Sequence, residues 1–111
     1  MDIKTHTSGA VTVVALSGKL DTVTAPGFET QISELIGSGT VRLVLDLSGI
    51  DYISSAGLRG LLVMSKLLKE KQGKACLMGV KGNVRSVFAM SGLLTFFRIE
   101  ETVETAVASL G

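Results

Sequence analysis

Apolar positions recur with two different periods along the 111 residues, and the changes of period fall mostly at glycines. Ile3 to Thr7 alternates weakly and stops at Ser8-Gly9, a turn signal. AVTVVALSG, residues 10–18, is rich in β-branched side chains and closes on Gly18. Two short strands separated by Ser-Gly predict a hairpin. After Gly18 the period lengthens. Phe28, Ile32, Leu35 and Ile36 share one helical face, behind Thr24 as a candidate N-cap and Pro26 in the first turn. Gly37 or Gly39 ends that helix.

VRLVLDLSGI, residues 41–50, is apolar on both faces and predicts an interior strand covered on both sides. In SSAGLRGLLVMSKLLKEKQG, Leu58, Leu61, Leu62, Ser65 and Leu68 form a helical stripe, with lysines gathered in the last turns and Gly73 placed to cap the end. KACLMGV predicts another strand. NVRSVFAMSG predicts a short helix carrying Val84, Val87, Phe88 and Met90, and Leu93-Leu94 lead into a last strand, FFRIE. ETVETAVASL closes the chain as a helix with Val103, Ala106, Val107 and Leu110 on one side. Strands alternating with helices predict an α/β fold: one domain over residues 1–111, with a mixed, mostly parallel sheet of about five strands and about four helices.

Composition narrows the function. A formal net charge of +1 gives no broad basic field, so nucleic acid is not an expected partner. No apolar run approaches the roughly 20 residues of a spanning helix, and MDIKTHTSG lacks an apolar signal core. A soluble cytoplasmic protein without membrane insertion is expected.

Catalytic chemistry is sparse. His6, the one histidine, lies in an expected edge strand without partner ligands, so no metal site is predicted. The one cysteine, Cys76, reads as a small buried hydrophobe rather than a reactive thiol. There is no G-x-S-x-G elbow, and neither LSGKL nor VKGNVRS has the spacing of a phosphate loop. Asp21 and Asp46 read as turn and cap acceptors rather than paired catalytic acids. The chain is expected not to be an enzyme and to need no cofactor.

The unusual feature is Ser54-Ser55 before the leucine stripe. One serine satisfies an N-cap, and the second hydroxyl is left over. Gly57 in a first helical turn lowers helix propensity by about 1 kcal/mol against alanine, which predicts that something approaches closely there. Ala56 and Gly57 are expected to leave the backbone accessible around Ser55. A phosphoryl group added at that place would meet the free N–H groups and positive dipole end of the helix, so the fold should tolerate it.

LSGKLD (16–21), VLDLSGIDYISSAGLRGL (44–61) and FAMSGL (88–93) resemble the anti-sigma factor antagonists, the single-domain STAS proteins of bacterial partner-switching systems. The likeness runs from about Ile3 to Ala108, and its central segment is the specific part. The resemblance implies a phosphoacceptor at Ser55, with Ser54 the alternative because it stands where the family usually has an acidic residue. It also implies an interaction surface of Asp21, Ser54, Ser55, Ala56, Gly57, Leu58 and Arg59. The implied partners are an anti-sigma factor that is itself a serine kinase, bound by the unphosphorylated form, and a metal-dependent phosphatase that restores binding. The alternative from the same resemblance is a STAS accessory subunit of a membrane transporter, for instance in phospholipid transport, acting by contact without phosphate turnover.

Overall fold

In the computed structural model, which describes residues 1–110, β-branched and leucine-rich segments build one mixed sheet in the order β1-β2-β3-β4-β5. The strands are β1 (Asp2–Ser8), β2 (Val11–Leu20), β3 (Arg42–Ile53), β4 (Lys74–Met78) and β5 (Arg98–Glu100). β1 pairs antiparallel with β2, and every later pairing is parallel. The expected hairpin and parallel α/β order are both present. The helices are α1 (Ala25–Gly37), α2 (Ser55–Glu70), α3 (Gly82–Ser91), α4 (Leu93–Phe96) and α5 (Val103–Leu110).

Period-two alternation splits the sheet into two apolar faces. Val14, Leu16, Leu43, Leu45, Leu47 and Leu77 point into the main core, where Phe28, Ile32, Leu61, Met64, Leu68 and Phe88 fill the space. Val11, Val13, Val44, Cys76 and Met78 point the other way and are covered by Ala106 and Leu110 of α5. Leu43, Val44 and Leu45 are all fully buried, which is why this strand is apolar on both faces.

β3 changes period before the site. Its pairing with β2 slips between Ala15 and Ser17 and again between Gly18 and Lys19, so Ser17 faces Gly49 while Lys19 faces Tyr52. Each slip gives β3 one extra residue, and Leu47, Ile50 and Ile53 all reach the core three apart. Both strands thus run beyond the expected segments and bring Leu20 and Ile53 together beneath the start of α2.

Four details differ from the expectations. Thr24 does not cap α1: it has helical dihedrals and no side-chain cap bond, and Asp21 performs that service. The buried stripe of α2 is Gly57, Gly60, Leu61, Met64 and Leu68, rotated from the leucine stripe, and Leu62 is 38% exposed. Two glycines without side chains carry the inner face, a signal that counting apolar residues overlooks. Met90 is exposed, not packed. Finally, Leu93–Phe96 forms a fifth helix instead of leading into the strand, because Gly92 at φ 79° ends α3 and lets the chain restart; Leu93 and Phe97 pack in the core there.

Candidate functional site

The carboxyl ends of β2 and β3 deliver the two segments that form the site, the β2–α1 loop and the start of α2. Ser54 is the N-cap of α2, in extended conformation, and its Oγ accepts the Gly57 N–H at 3.3 Å. Its own N–H donates to the Leu20 carbonyl at 3.0 Å, and its carbonyl accepts from Leu58 at 2.9 Å. Ser54 is therefore engaged on three sides by structural bonds.

Ser55, the first residue of the helix, is exposed, and no acidic side chain shares the first turn. With Ala56, Arg59 and Thr22 of the facing loop it lines one shallow open depression. The N–H groups of Ser55 and Ala56 have no carbonyl behind them inside the helix, so the depression has a positive floor. An anion attached at Ser55 Oγ is compatible with this end of the helix.

Asp21 braces the loop that supplies Thr22. Its Oδ1 accepts the N–H groups of Val23 and Thr24 at 3.0 and 3.1 Å, while its own N–H donates to Thr24 Oγ1 at 2.9 Å. Thr24 Oγ1 in turn donates to the Lys19 carbonyl at 2.8 Å. The Thr24 N–H above all, joined by that of Val23, holds the Asp21 carboxyl below the usual 3.8 against the opposing effect of desolvation. A carboxyl with a lowered folded pKa stabilises the loop at neutral pH, and that contribution disappears as pH falls through the lowered value. We expect Asp21→Asn to melt below the wild type at pH 7 and the gap to close as pH drops under 3.8. A gap that stays constant from pH 7 to pH 2 in thermal melts would show that the charge contributes nothing.

Of the seven residues implied as partner-binding, Ser55, Ala56 and Arg59 face the depression, and Asp21 shapes the adjoining loop. Gly57 is a correction. It is buried, and a Cβ there would stand 2.5 Å from the Leu20 carbonyl oxygen and 2.9 Å from Ile53 Cγ1. The close approach that its presence announced comes from the protein's own strand, so Gly57 does not leave accessible backbone beside Ser55. Leu58 is half-buried against the main core.

Thr22 and Val23 are not among the residues expected at this end of the fold. Thr22 lines the depression, and Val23 is 86% exposed at the tip of the turn. The available signal was an apolar residue inside a polar turn with no helical or strand neighbour to pack against. His6 is exposed in edge strand β1, away from this end, and Asp46 Oδ1 accepts from Ser48 N and Oγ within its own turn. Cys76 is buried under α5, and desolvation pushes its thiol up from 9.0. Among the described residues no group of His, Cys, Asp and Glu is arranged to hold a metal, and no helix is long and apolar enough to cross a membrane.

The STAS domain profile matches residues 2–106. The chain belongs to the STAS domain family. Its relatives include the Bordetella bronchiseptica protein named "Putative anti-sigma factor antagonist BtrV", 38% identical over 97 residues that cover 87% of this chain and 84% of that one. The Mycobacterium tuberculosis anti-sigma-F factor antagonist RsfB is 32% identical over 103 residues, covering 90% of this chain and 81% of its own. Among solved structures, an anti-sigma factor antagonist from Mycobacterium paratuberculosis superimposes with a TM-score of 0.88 at 27% identity, over 98% of this chain and 92% of that one. In this STAS domain the ends of β2 and β3 meet beneath the serine pair, so the segment that carries the resemblance runs from the core strand to the exposed Ser55 at the start of α2.

Proposed function

We propose that this STAS protein is an anti-sigma factor antagonist whose α2 start docks on an anti-sigma factor serine kinase, and that phosphorylation of Ser55 releases it. Transfer of the γ-phosphoryl group of ATP to Ser55 Oγ, with loss of the hydroxyl proton and departure of ADP, adds about 1.5 to 2 negative charges in the middle of the docking surface. A serine phosphatase reverses the state by hydrolysis. The observation that carries the reading is the division of labour between the serines: Ser54 is bound into the cap, while Ser55 Oγ is exposed and makes no hydrogen bond to the protein. Homology to proteins named as anti-sigma factor antagonists supports the partner class.

Incubation with ATP and an anti-sigma factor kinase from the same organism, followed by peptide mass spectrometry, tests this. Phosphate is expected on Ser55 in the wild type and in Ser54→Ala, and nowhere in the 52–62 segment of Ser55→Ala. Ser54→Ala is expected to lose about 1 kcal/mol of stability with its cap, whereas Ser55→Ala changes the melting point little. Phosphate on Ser54, or none in this segment, overturns the assignment.

A further inference from the structure

Two exposed side chains have no role in holding the fold together: Val23, which follows Thr22 on the β2–α1 turn, and Arg59, which lines the Ser55 depression. Val23 stands clear of the body of the protein, yet its backbone is fixed: its N–H is held by Asp21, and the next residue is tied to Asp21 and to Lys19. An apolar side chain on a braced turn loses little freedom when it is docked, which makes it a candidate anchor.

Arg59 is the second group. It is the one charged side chain lining the depression that contains Ser55. Among the described residues the ion pairs are Lys19 with Asp51 at 3.5 Å and Arg98 with Glu100 at 3.8 Å, so the Arg59 guanidinium is uncompensated. Asp21 is turned onto its own loop and Glu29 lies alongside Gly60, and neither pairs with Arg59. The depression at Ser55 therefore combines one free cation with the positive end of a helix, and the turn that supplies its Thr22 carries one exposed apolar side chain, Val23.

Resting on the kinase reading above, we infer that Val23 and Arg59 are docking anchors, and that the partner surface they fit is an apolar socket bordered by a carboxylate. Charge complementarity selects that occupant. A fixed cation beside a helix N-terminus is matched by an acidic side chain, and a second basic surface would be repelled. The same arrangement sets the direction of the switch. Ser55 and Arg59 are four residues apart on one helix, so a phosphoryl group on Ser55 is within reach of the guanidinium. It draws Arg59 away from the partner's carboxylate and places like charge opposite that carboxylate. Attachment of phosphate thus removes one contact and creates one repulsion.

Two measurements test this. The first is titration calorimetry against the kinase that modifies Ser55 in the mass-spectrometric assay. Val23→Ala and Arg59→Gln are each expected to bind at least about tenfold more weakly than the wild type, Arg59→Lys to recover most of the loss, and Arg59→Glu to show no binding, all with unchanged melting points. If Val23→Ala and Arg59→Gln bind within twofold of the wild type while Ser55→Asp still weakens binding, the anchor assignment is wrong and the phosphorylation reading stands. The second uses the chain alone with phosphoserine installed at position 55. A 31P titration is expected to give a lower second phosphate pKa in the wild-type background than in Arg59→Gln, and coincident curves would remove the capture of Arg59.

Discussion

Phosphorylated at Ser55, the chain is expected to lose roughly a thousandfold in affinity for its anti-sigma factor kinase while its melting temperature scarcely moves. The two halves of this expectation have separate causes. Stability is preserved because Ser55 is exposed, makes no hydrogen bond to the protein, and has no acidic neighbour in the first turn of α2. Free N–H groups and the helix dipole meet the new charge, which together favour an anion there by a fraction of a kcal/mol or more. Affinity falls because docking must strip water from that charge and bring it against a surface selected to match a cation. Burying an unpaired charge at an interface costs several kcal/mol, and a loss of about 4 kcal/mol corresponds to a thousandfold.

Calorimetry on the unphosphorylated chain, the phosphorylated chain and Ser55→Ala, with melts of each, separates these causes. Ser55→Ala is expected to bind like the unphosphorylated wild type, because the hydroxyl itself holds nothing in place. Ser55→Asp, with a single charge and shorter reach, is expected to fall between the extremes. Equal affinities for all forms would overturn the repulsion mechanism, and a phosphorylated chain that unfolds would show that release follows from loss of structure instead.

How much of this was legible beforehand depends on which residues carried the signal. The alternation of strands and main helices along the chain followed from the β-branched and leucine-rich segments, and the two-faced burial of Leu43, Val44 and Leu45 matches the continuous apolar run that predicted it. Ser55 was legible as a hydroxyl in excess of what a cap requires. Met64 and the two glycines of the α2 inner face were not legible as a stripe, because glycine registers as an interruption in an apolar count even where it is the residue that lets two backbones touch. The Asp21–Thr24 brace was assigned to the wrong residue for a related reason. Thr24 immediately precedes the regular helix, but the turn from 22 to 24 has already taken up helical hydrogen bonding, since the Ala25 N–H donates to the Asp21 carbonyl at 2.8 Å. Local sequence marks a cap within a few residues, and only the hydrogen bonds fix which one acts. Thr22 gave no signal because it lines the Ser55 depression from another element, across space from α2, a relation no local pattern encodes.

Gly57→Ala is expected to be the most damaging single-methyl change in α2, and Gly60→Ala its near-silent control. Both glycines are buried on the same face. A Cβ at position 57 would lie 2.5 Å from the Leu20 carbonyl oxygen, 2.9 Å from Ile53 Cγ1 and 3.0 Å from Leu20 Cγ, and the carbonyl is main chain at the end of β2, held by the Ser54 N–H. A Cβ at position 60 would lie 3.3 Å from Phe28 Cδ2, a side-chain ring that has to give by only a few tenths of an ångström, and 3.6 Å from Glu29 side-chain atoms, an ordinary contact. Alanine gains about 1 kcal/mol of helix propensity at either site. At position 60 that gain roughly offsets the tighter packing. At position 57 the overlap must be relieved by moving the start of α2 away from β2, which stretches the bond from Ser54 N to the Leu20 oxygen, now 3.0 Å, and loosens the cap. Overpacking against backbone costs up to about 3 kcal/mol and sometimes more, so a net loss of about 2 kcal/mol is expected, or roughly 10 °C in melting temperature. Urea denaturation gives the comparison directly, with a lowered midpoint and unchanged slope for Gly57→Ala. Because the displaced segment carries Ser55, the kinase should also modify Gly57→Ala more slowly than Gly60→Ala at a temperature where both are folded. Equal midpoints and equal phosphorylation rates for the two variants would mean that the contact between β2 and the first turn of α2 does not position the serine.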